Sequence, residues 1–173
     1  MSYRVALRRG WGSLAAKLNG TWLQHDTATP FQGAGTYDCA GLYGFTCGVG
    51  VNPSWRHTLR VTWTTPWRAL LSAQWRYIGE SAFDNNASNP SLKYLEEGGY
   101  QPINAHIPGY SYLDLTAELR VIEGVHVRIG CRNVLDKDPP LIGGEITNAT
   151  AMNSFPSYDV LGRELFAGFT ADL

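Results

Sequence analysis

The chain has 173 residues, of which 44% are hydrophobic and 12% aromatic, and its formal net charge is −1. This composition fits one globular domain as readily as part of a membrane barrel, and near-neutral charge gives no reason to expect nucleic acid as a partner. No apolar run approaches the roughly 20 residues of a transmembrane helix, which excludes helical spans only, because barrel strands alternate apolar and polar residues.

The chain begins directly in an alternating segment. Met1 leads into Tyr3, Arg4 and Val5 without the charged region, apolar stretch and small-residue cleavage site of a signal peptide. This start is unusual for an exported protein, and we therefore expect the chain to be a fragment.

Seven segments alternate apolar and polar residues in the manner of half-exposed strands. In the clearest of them, the odd positions from Leu113 to Val121 are apolar and the even positions from Tyr112 to Arg120 are polar or aromatic. The predicted strands are approximately Tyr3–Arg9, Ser13–His25, Trp55–Thr64, Trp67–Gly79, Ser111–Ile122, Val125–Leu135 and Leu161–Leu173.

Tryptophans mark both ends of the third and fourth predicted strands. Trp55 and Trp63 lie eight residues apart before the turn at Thr65–Pro66, and Trp67 and Trp75 lie eight apart after it. An even spacing places both members of a pair on one face, about 26 Å apart in an extended strand. A tilt of about 40° reduces the height to about 20 Å, close to the apolar band of about 25 Å that outer-membrane barrel strands present to lipid.

Arginines recur on the face opposite the tryptophans, where charge is costly in a dry core but ordinary in a wet lumen. We therefore expect one face to meet lipid and the other water. On the fifth and sixth strands, the residues expected on a convex, lipid-facing side are Leu113, Leu115, Ala117, Leu119, Val121, Val127 and Ile129. Those expected on a concave, lumen-facing side are Asp114, Glu118, Arg120, His126, Arg128 and Arg132.

The connections between the strands alternate strictly between short and long. Short turns and long polar stretches of this kind are typical of outer-membrane barrels, whose long loops all lie at one end. The short turns are Gly10–Gly12, Thr65–Pro66 and Glu123–Gly124. The long stretches, expected to be structureless, are Asp26–Ser54, Glu80–Tyr110 and Asp136–Val160.

The motifs of the last third resemble the C-terminal signature of the TonB-dependent outer-membrane receptors. They are Tyr112–Leu115, Asn133–Pro140 and Tyr158–Arg163, and Asn52–His57 and Trp75–Gly79 are also similar to members of that family. The residues that we assign to the family signature are Asn133, Asp136, Asp138, Pro139, Tyr158, Gly162 and Arg163.

This resemblance implies an all-β fold in which residues 1–173 form an antiparallel transmembrane meander, the incomplete C-terminal portion of a barrel of about 22 strands. It implies an active transporter of the bacterial outer membrane that imports a scarce nutrient of the siderophore, cobalamin or oligosaccharide class. The expected partners are membrane lipid and lipopolysaccharide, the TonB complex through an N-terminal plug, and the barrel-assembly machinery through the last strand. The plug and TonB box are absent from this sequence, which ends in Leu173 where family members usually end in an aromatic residue.

The cysteines and histidines suggest structural roles. Cys39 and Cys47 bracket a glycine-rich turn and most simply form a disulfide in an oxidising space, although a free or metal-bound pair is the alternative. Cys131 falls on an apolar face. The histidines have no metal-ligand spacing, so no cofactor or metal is expected; they are His25, His57, His106 and His126.

Aromatic and amide residues in the long loops are the candidates for substrate contact, because ligands commonly meet an aromatic wall with a few directed polar groups. The alternative is that these side chains touch lipopolysaccharide or one another. The candidates are Tyr37, Tyr43, Phe45, Phe83, Asn85, Asn86, Tyr94 and Tyr100.

Two other classes of protein remain open. A soluble secreted β-sandwich binding module would also alternate apolar and polar residues, but it gives no reason for matched tryptophans or for long loops at one end. An outer-membrane barrel enzyme would need a serine or carboxylate constellation with a positioned histidine, and no such spacing is present in the sequence. We therefore expect no catalytic residues.

Overall fold

The computed structural model describes residues 1–7, 10–29, 32, 35–48, 50–93, 104–142 and 154–171. Within these ranges the chain is all-β, with two short 3₁₀ turns at Asp84–Asn86 and Pro90–Leu92. The helical segments of the described chain are too short and too polar for any of them to cross a membrane.

Seven long strands form the main sheet. In chain order they are β1 (Ser2–Ala6), β2 (Ser13–Trp22), β6 (Trp55–Thr64), β7 (Ala69–Ile78), β10 (Tyr110–Ile122), β11 (Val125–Arg132) and β12 (Glu164–Ala171). Five short strands lie in the long loops, namely β3 (Thr27–Ala28), β4 (Tyr37–Asp38), β5 (Leu42–Tyr43), β8 (Ser81–Phe83) and β9 (His106–Ile107).

The main sheet is an antiparallel meander in which each long strand pairs with the next long strand along the chain, in the order β1-β2-β6-β7-β10-β11-β12. The predicted all-β, seven-stranded antiparallel architecture is confirmed. All seven strands belong to one sheet, whereas a β-sandwich would divide them between two packed sheets. Among the described residues, β1 and β12 each pair on one side only, so both edges of the sheet are open.

Several predicted boundaries extend too far. The second, sixth and seventh strands are shorter than expected, and the last residues predicted for the first and seventh strands, 8–9 and 172–173, lie outside the described ranges. The fourth strand begins at Ala69 rather than Trp67, because the turn occupies four residues and not two. It is closed by a bond from the Thr65 N–H to the Ala69 carbonyl (2.9 Å), with Arg68 at a positive φ of 60°. Trp67 therefore lies in the turn.

The strand register separates an apolar face from a polar face. One set of successive cross-strand partners is apolar: Leu14, Trp63, Leu71, Ala117, Ile129 and Ala167. A neighbouring set on the opposite face is polar: Lys17, Arg60, Gln74 and Asp114. Large side chains of the apolar face are exposed, including Leu115 and Ile129. The alternation of apolar and polar residues in the sequence therefore corresponds to the two faces of the sheet.

All six tryptophans fall into two groups, one at each end of the strands. At the end with the short turns, Trp63 packs edge-on against Trp67, with ring centroids 5.7 Å apart, and donates its Nε1–H to the Trp11 carbonyl (2.9 Å). At the loop end, Trp22 is the cross-strand partner of Trp55, and Trp75 packs edge-on against His57 at 4.6 Å. Trp67 and Trp75 were expected on one face of the same strand, which is wrong because Trp67 lies in the turn. The two tryptophan belts are nevertheless present.

The long loops carry the buried core of the protein. The expectation that they are structureless is wrong for their described parts, because apolar side chains from all three loops pack together, with Tyr112 of β10, at the strand ends and are buried there. The core consists of Tyr43, Val51, Phe83, Ile107, Tyr112, Ile142, Phe155 and Tyr158. Its rings pack closely, with Tyr43 at 5.6 Å from Phe83 and 5.8 Å from Phe155 between centroids.

Candidate functional site

An ion triad ties the third loop to the polar face at the loop end of the sheet. The Arg76 guanidinium on β7 donates two hydrogen bonds to Asp114 on β10 (2.7 and 2.9 Å) and two to Asp159 in the loop (2.9 and 2.5 Å). The side chains are largely buried, at 25%, 12% and 22% exposure. The planar guanidinium of arginine has five N–H donors and can make two hydrogen bonds to each of two carboxylates, whereas a lysine ammonium has only three donors.

Asp114 also anchors the end of β11. Its Oδ1 accepts the backbone N–H of Asn133 (3.0 Å), and its Oδ2 accepts an amide N–H of Gln74 (3.2 Å). The buried Asn133 has a positive φ of 47° and clamps its own loop, since its side chain bonds both the carbonyl and the N–H of Lys137 at 2.9 Å. Asparagine suits this position because it tolerates the left-handed region and bonds nearby backbone.

The remaining signature residues hold the third loop against β12 and the core. The Asp136 carboxylate accepts the backbone N–H of Arg163 (2.8 Å), and Gly162 adopts a φ of 70° beside it. Tyr158 lies in the core, where burial raises the pKa of its hydroxyl well above the usual value. Pro139 is half-buried and Asp138 is exposed. The signature residues that make these contacts therefore have a structural role, because they hold the third loop in place against β12 and the core.

A disulfide and a buried carboxylate organise the first loop. Cys39 and Cys47 form the predicted bridge, with Cα atoms 5.4 Å apart. Asp84 of the second loop accepts the backbone N–H groups of Thr46 (2.9 Å) and Cys47 (3.1 Å). Gly44 adopts a φ of 147°, and a Cβ there would lie 2.0 Å from Asp84 Oδ1, so a larger residue would not fit.

The candidate contact residues divide by burial. Tyr43, Phe83 and Asn85 are in the loop interior, and burial raises the pKa of the Tyr43 hydroxyl, which bonds the Asn104 carbonyl, to about 12. Tyr43 and Phe83 pack against each other in the core rather than facing solvent, as in the alternative that the loop aromatics contact one another. The more accessible candidates are Phe45, at 51% exposure, and the half-buried Tyr37 and Asn86. The candidates Tyr94 and Tyr100 lie outside the described residues.

The histidines pair with carboxylates or with aromatic rings. His25 bonds Asp38 (2.7 Å), and His106 bonds Glu80 (3.2 Å). Backbone N–H bonds from Asp26 and Ala40, together with His25, lower the pKa of Asp38 to about 2. No three His, Cys, Asp or Glu side chains of the described chain are grouped as metal ligands would be.

A cavity of about 430 Å³ lies at the loop end, where β2, β6, β7, the first loop and the third loop meet. Val51, Pro53 and Ile78 give it apolar surface, and its polar lining residues are Asn19, Thr21, Arg56, His57, Thr58, Arg76, Tyr77 and Ser157. None of these was among the candidate contact residues, although the alternation of Arg56 and Thr58 had placed both on the polar face. Apart from Ser157, these polar residues lie on β2, β6 and β7, whereas the candidate contact residues lie in the long loops.

Comparison with known proteins identifies a distant likeness. No family model and no curated protein matches the sequence. The chain is similar to a mutant of the ferric enterobactin receptor PfeA from Pseudomonas aeruginosa in complex with enterobactin, with a TM-score of 0.54 and 16% identity over 98% of this chain. A second PfeA mutant gives a TM-score of 0.49 at 14% identity, again over 98% of this chain.

This likeness defines the class of fold. The chain spans 21% of the length of each of these receptors, and at such low identity the similarity concerns the fold alone. The seven-stranded meander thus has the fold of part of a β-barrel receptor.

Proposed function

We propose that the chain is the C-terminal part of the barrel of an outer-membrane active transporter of the TonB-dependent class. In this proposal residues 1–173 form the last third of a barrel of about 22 strands, with the apolar face toward lipid and the polar face toward the lumen. The long loops lie outside the cell and the short turns face the periplasm.

The single observation that carries the proposal is the exposed apolar face bounded by tryptophans at both ends. A soluble protein rarely leaves such a contiguous apolar surface in water. Here Leu115, Leu119 and Ile129 are 42%, 44% and 49% exposed in the middle of the sheet. Lipid would cover this face along its whole height, and tryptophans prefer the two membrane boundaries.

The transported substance is proposed to be a scarce nutrient of the siderophore, cobalamin or oligosaccharide class. A ferric siderophore is the first to assay, because the similar solved structures are ferric enterobactin receptors. TonB would act through a plug, and the barrel-assembly machinery would recognise the last strand. Phe45, Tyr37 and Asn86 are the loop residues that we propose for substrate contact.

The experiment is carried out on the full-length protein that contains this chain, expressed in a bacterium with an outer membrane. We expect the folded protein in the detergent-extracted outer-membrane fraction, with slower electrophoretic migration after heating. In proteoliposomes, lipids brominated near the headgroup should quench tryptophan fluorescence more than lipids brominated at the chain ends. A protein that remains in the soluble fraction would contradict the proposal and favour a secreted binding module.

A further inference from the structure

Three glycines of the described chain lie beneath an aromatic side chain of the neighbouring strand. Gly20 on β2 faces Trp55 on β6, Gly109 directly before β10 faces Tyr77 on β7, and Gly130 on β11 faces Phe166 on β12. A Cβ atom at any of the three glycines would lie closer than 3.0 Å to that aromatic side chain, so a larger residue would displace it. We call these pairs the ring–glycine contacts.

The backbone conformation does not require glycine at these three positions. Glycines with a positive φ, such as Gly12 and Gly162, lie elsewhere in the chain, and Gly20, Gly109 and Gly130 are not among them. Glycine weakens a strand, and it often marks a place where another group approaches the backbone closely. The group that approaches here is the aromatic side chain, so the glycines provide the room that it occupies.

Two of the rings are held over their glycines by further contacts. The Trp55 Nε1–H donates a hydrogen bond to His57 Nδ1 (2.9 Å), which fixes the orientation of the indole. The guanidinium groups of Arg128 and Arg132 lie 5.6 and 5.9 Å from the centroid of the Phe166 ring, within the range of cation–π interactions. These rings are therefore restrained parts of the sheet surface.

The ring–glycine contacts occur at the three strand pairs that long loops join. The first loop joins β2 to β6, the second joins β7 to β10, and the third joins β11 to β12. The pairs β1–β2, β6–β7 and β10–β11 are joined by short turns, and the geometry of a short turn sets the register of its hairpin. A long loop imposes no such register. Apolar and polar alternation does not impose one either, because a slip of two residues keeps every side chain on its face.

We propose that the ring–glycine contacts fix the register of the strand pairs that the long loops join. At β11–β12, Phe166 is directly opposite Gly130. A slip of two residues would place Phe166 opposite Arg128 or Arg132, according to its direction. A long side chain then occupies the space that Gly130 leaves open, so the slipped pairing loses the recess for the ring. The contacts thus supply the register information that a short turn supplies elsewhere in the sheet.

Cys131 on β11 provides a reporter of the β11–β12 register. Its cross-strand partner is Leu165, and residues directly opposite each other have Cα atoms about 4.5–5.5 Å apart, which suits a disulfide. In the full-length protein that contains this chain, oxidised as it folds, Leu165→Cys should therefore bridge to Cys131. Ala167→Cys and Arg163→Cys lie two residues to either side. They should bridge only after a slip, because diagonal neighbours are about 7–8 Å apart.

Phe166→Leu and Gly130→Ala should each increase the slipped bridges about twofold to fivefold, the range expected for the loss of one cross-strand side-chain pair. Gly168→Ala is the matched control. Gly168 is also a strand glycine, on β12, and a Cβ atom there would meet nothing within 4 Å. This variant should leave the slipped bridges unchanged. The inference is overturned if Phe166→Leu and Gly130→Ala give no more slipped bridges than Gly168→Ala.

The yield of folded protein, measured as the fraction that resists trypsin, tests all three contacts. Gly168→Ala should not lower it, because alanine suits a strand better than glycine. Gly20→Ala, Gly109→Ala and Gly130→Ala should each lower it, since the added methyl group displaces a ring, and adding Phe166→Leu to Gly130→Ala should restore part of the loss. Yields equal to that of Gly168→Ala, or a double variant no better than Gly130→Ala alone, would also refute the inference. Neither readout depends on where the protein is located, so this outcome is separate from that of the proposed function.

Discussion

Arg76 is the residue that joins β10 and the third loop through two carboxylates at the loop end of the sheet. It serves two carboxylates, so its removal would leave Asp114 and Asp159 close together, partly buried and without a counter-charge. Removing one carboxylate is less damaging, because the other still pairs with the guanidinium. The asymmetry follows from the high free energy of a buried charge without a partner.

We therefore expect Arg76→Gln to destabilise the full-length protein by about 3 kcal/mol. Asp159→Asn should destabilise it by less, and Arg120→Gln, on the same face outside the triad, should have little effect. Urea unfolding followed by tryptophan fluorescence in detergent would measure these differences. Equal midpoints for Arg76→Gln and Arg120→Gln would show that the triad contributes nothing to stability.

Asp38 gives a prediction about pH. Its pKa is lowered to about 2 by N–H bonds from Asp26 and Ala40 and by His25, against an ordinary value of about 3.9. A lowered folded pKa means that its stabilisation is fully present above about pH 4 and is lost as the pH falls toward 2. The ¹³C carboxyl resonance of Asp38 should titrate with a midpoint near 2, and a midpoint near 4 would mean that these bonds do not form.

At the scale of elements, the two faces of the strands should differ in whether they tolerate a charged side chain. Ala117 lies on the apolar face in mid-strand, with Leu71 and Ile129 as its cross-strand partners, and the adjacent Thr116 lies on the polar face. The two positions are neighbours in sequence and share the same strand. Substituting each by the same residue isolates the effect of the face.

In the proposed transporter, Ala117→Arg should cost about 2–4 kcal/mol at mid-membrane, whereas Thr116→Arg should cost far less. The yield of folded, heat-modifiable protein in the outer membrane would compare the two variants. If both variants assemble equally, the apolar face does not meet lipid, and the proposed function is wrong.

The disulfide stabilises the first loop rather than the sheet. Closing a loop of about nine residues stabilises it by about 2–3 kcal/mol in the chain-entropy estimate. Replacing both Cys39 and Cys47 by Ser should therefore increase proteolysis in that loop without changing the unfolding of the strands. Cys131→Ser, which removes a free thiol, is the control. Unchanged cleavage in the double variant would mean that the Asp84 contacts hold the loop without the bridge.

The strands were predictable from the sequence because each needs only local alternation, visible from Leu113 to Val121 without any other part of the chain. The length of the turn before β7 was predicted wrongly because Arg68 adopts a positive φ, a backbone conformation that the sequence does not indicate for arginine. The core and the ion triad were missed since their members are far apart in sequence: Arg76 and Asp159 are separated by 83 positions. Tyr43 and Phe83 read equally well as exposed loop aromatics until their partners were known.

At the scale of the whole molecule, the open edges of β1 and β12 determine how the isolated chain should behave. Each edge carries backbone N–H and C=O groups with no partner strand in the described structure. Such edges pair readily with other chains. Within a longer barrel they would pair with neighbouring strands.

We therefore expect the isolated 173-residue chain to form oligomers in detergent, while the proposed full-length transporter stays monodisperse. Analytical ultracentrifugation would compare the two. A monomeric isolated chain whose β1 and β12 amides resist hydrogen exchange would contradict this expectation, because some segment of the chain itself would then cover the edges.

The core formed by the three loops has a consequence for the order of the folding steps. Tyr43 and Phe155 pack together within it although 112 positions separate them, whereas three pairs of neighbouring strands, β1–β2, β6–β7 and β10–β11, are joined by short turns. Contacts between such distant residues form slowly, since a long segment of chain must be ordered first. These three hairpins should thus form before the loops dock, and a newly made molecule would pass through a stage in which the hairpins are paired while the core formed by the three loops is still open to proteases.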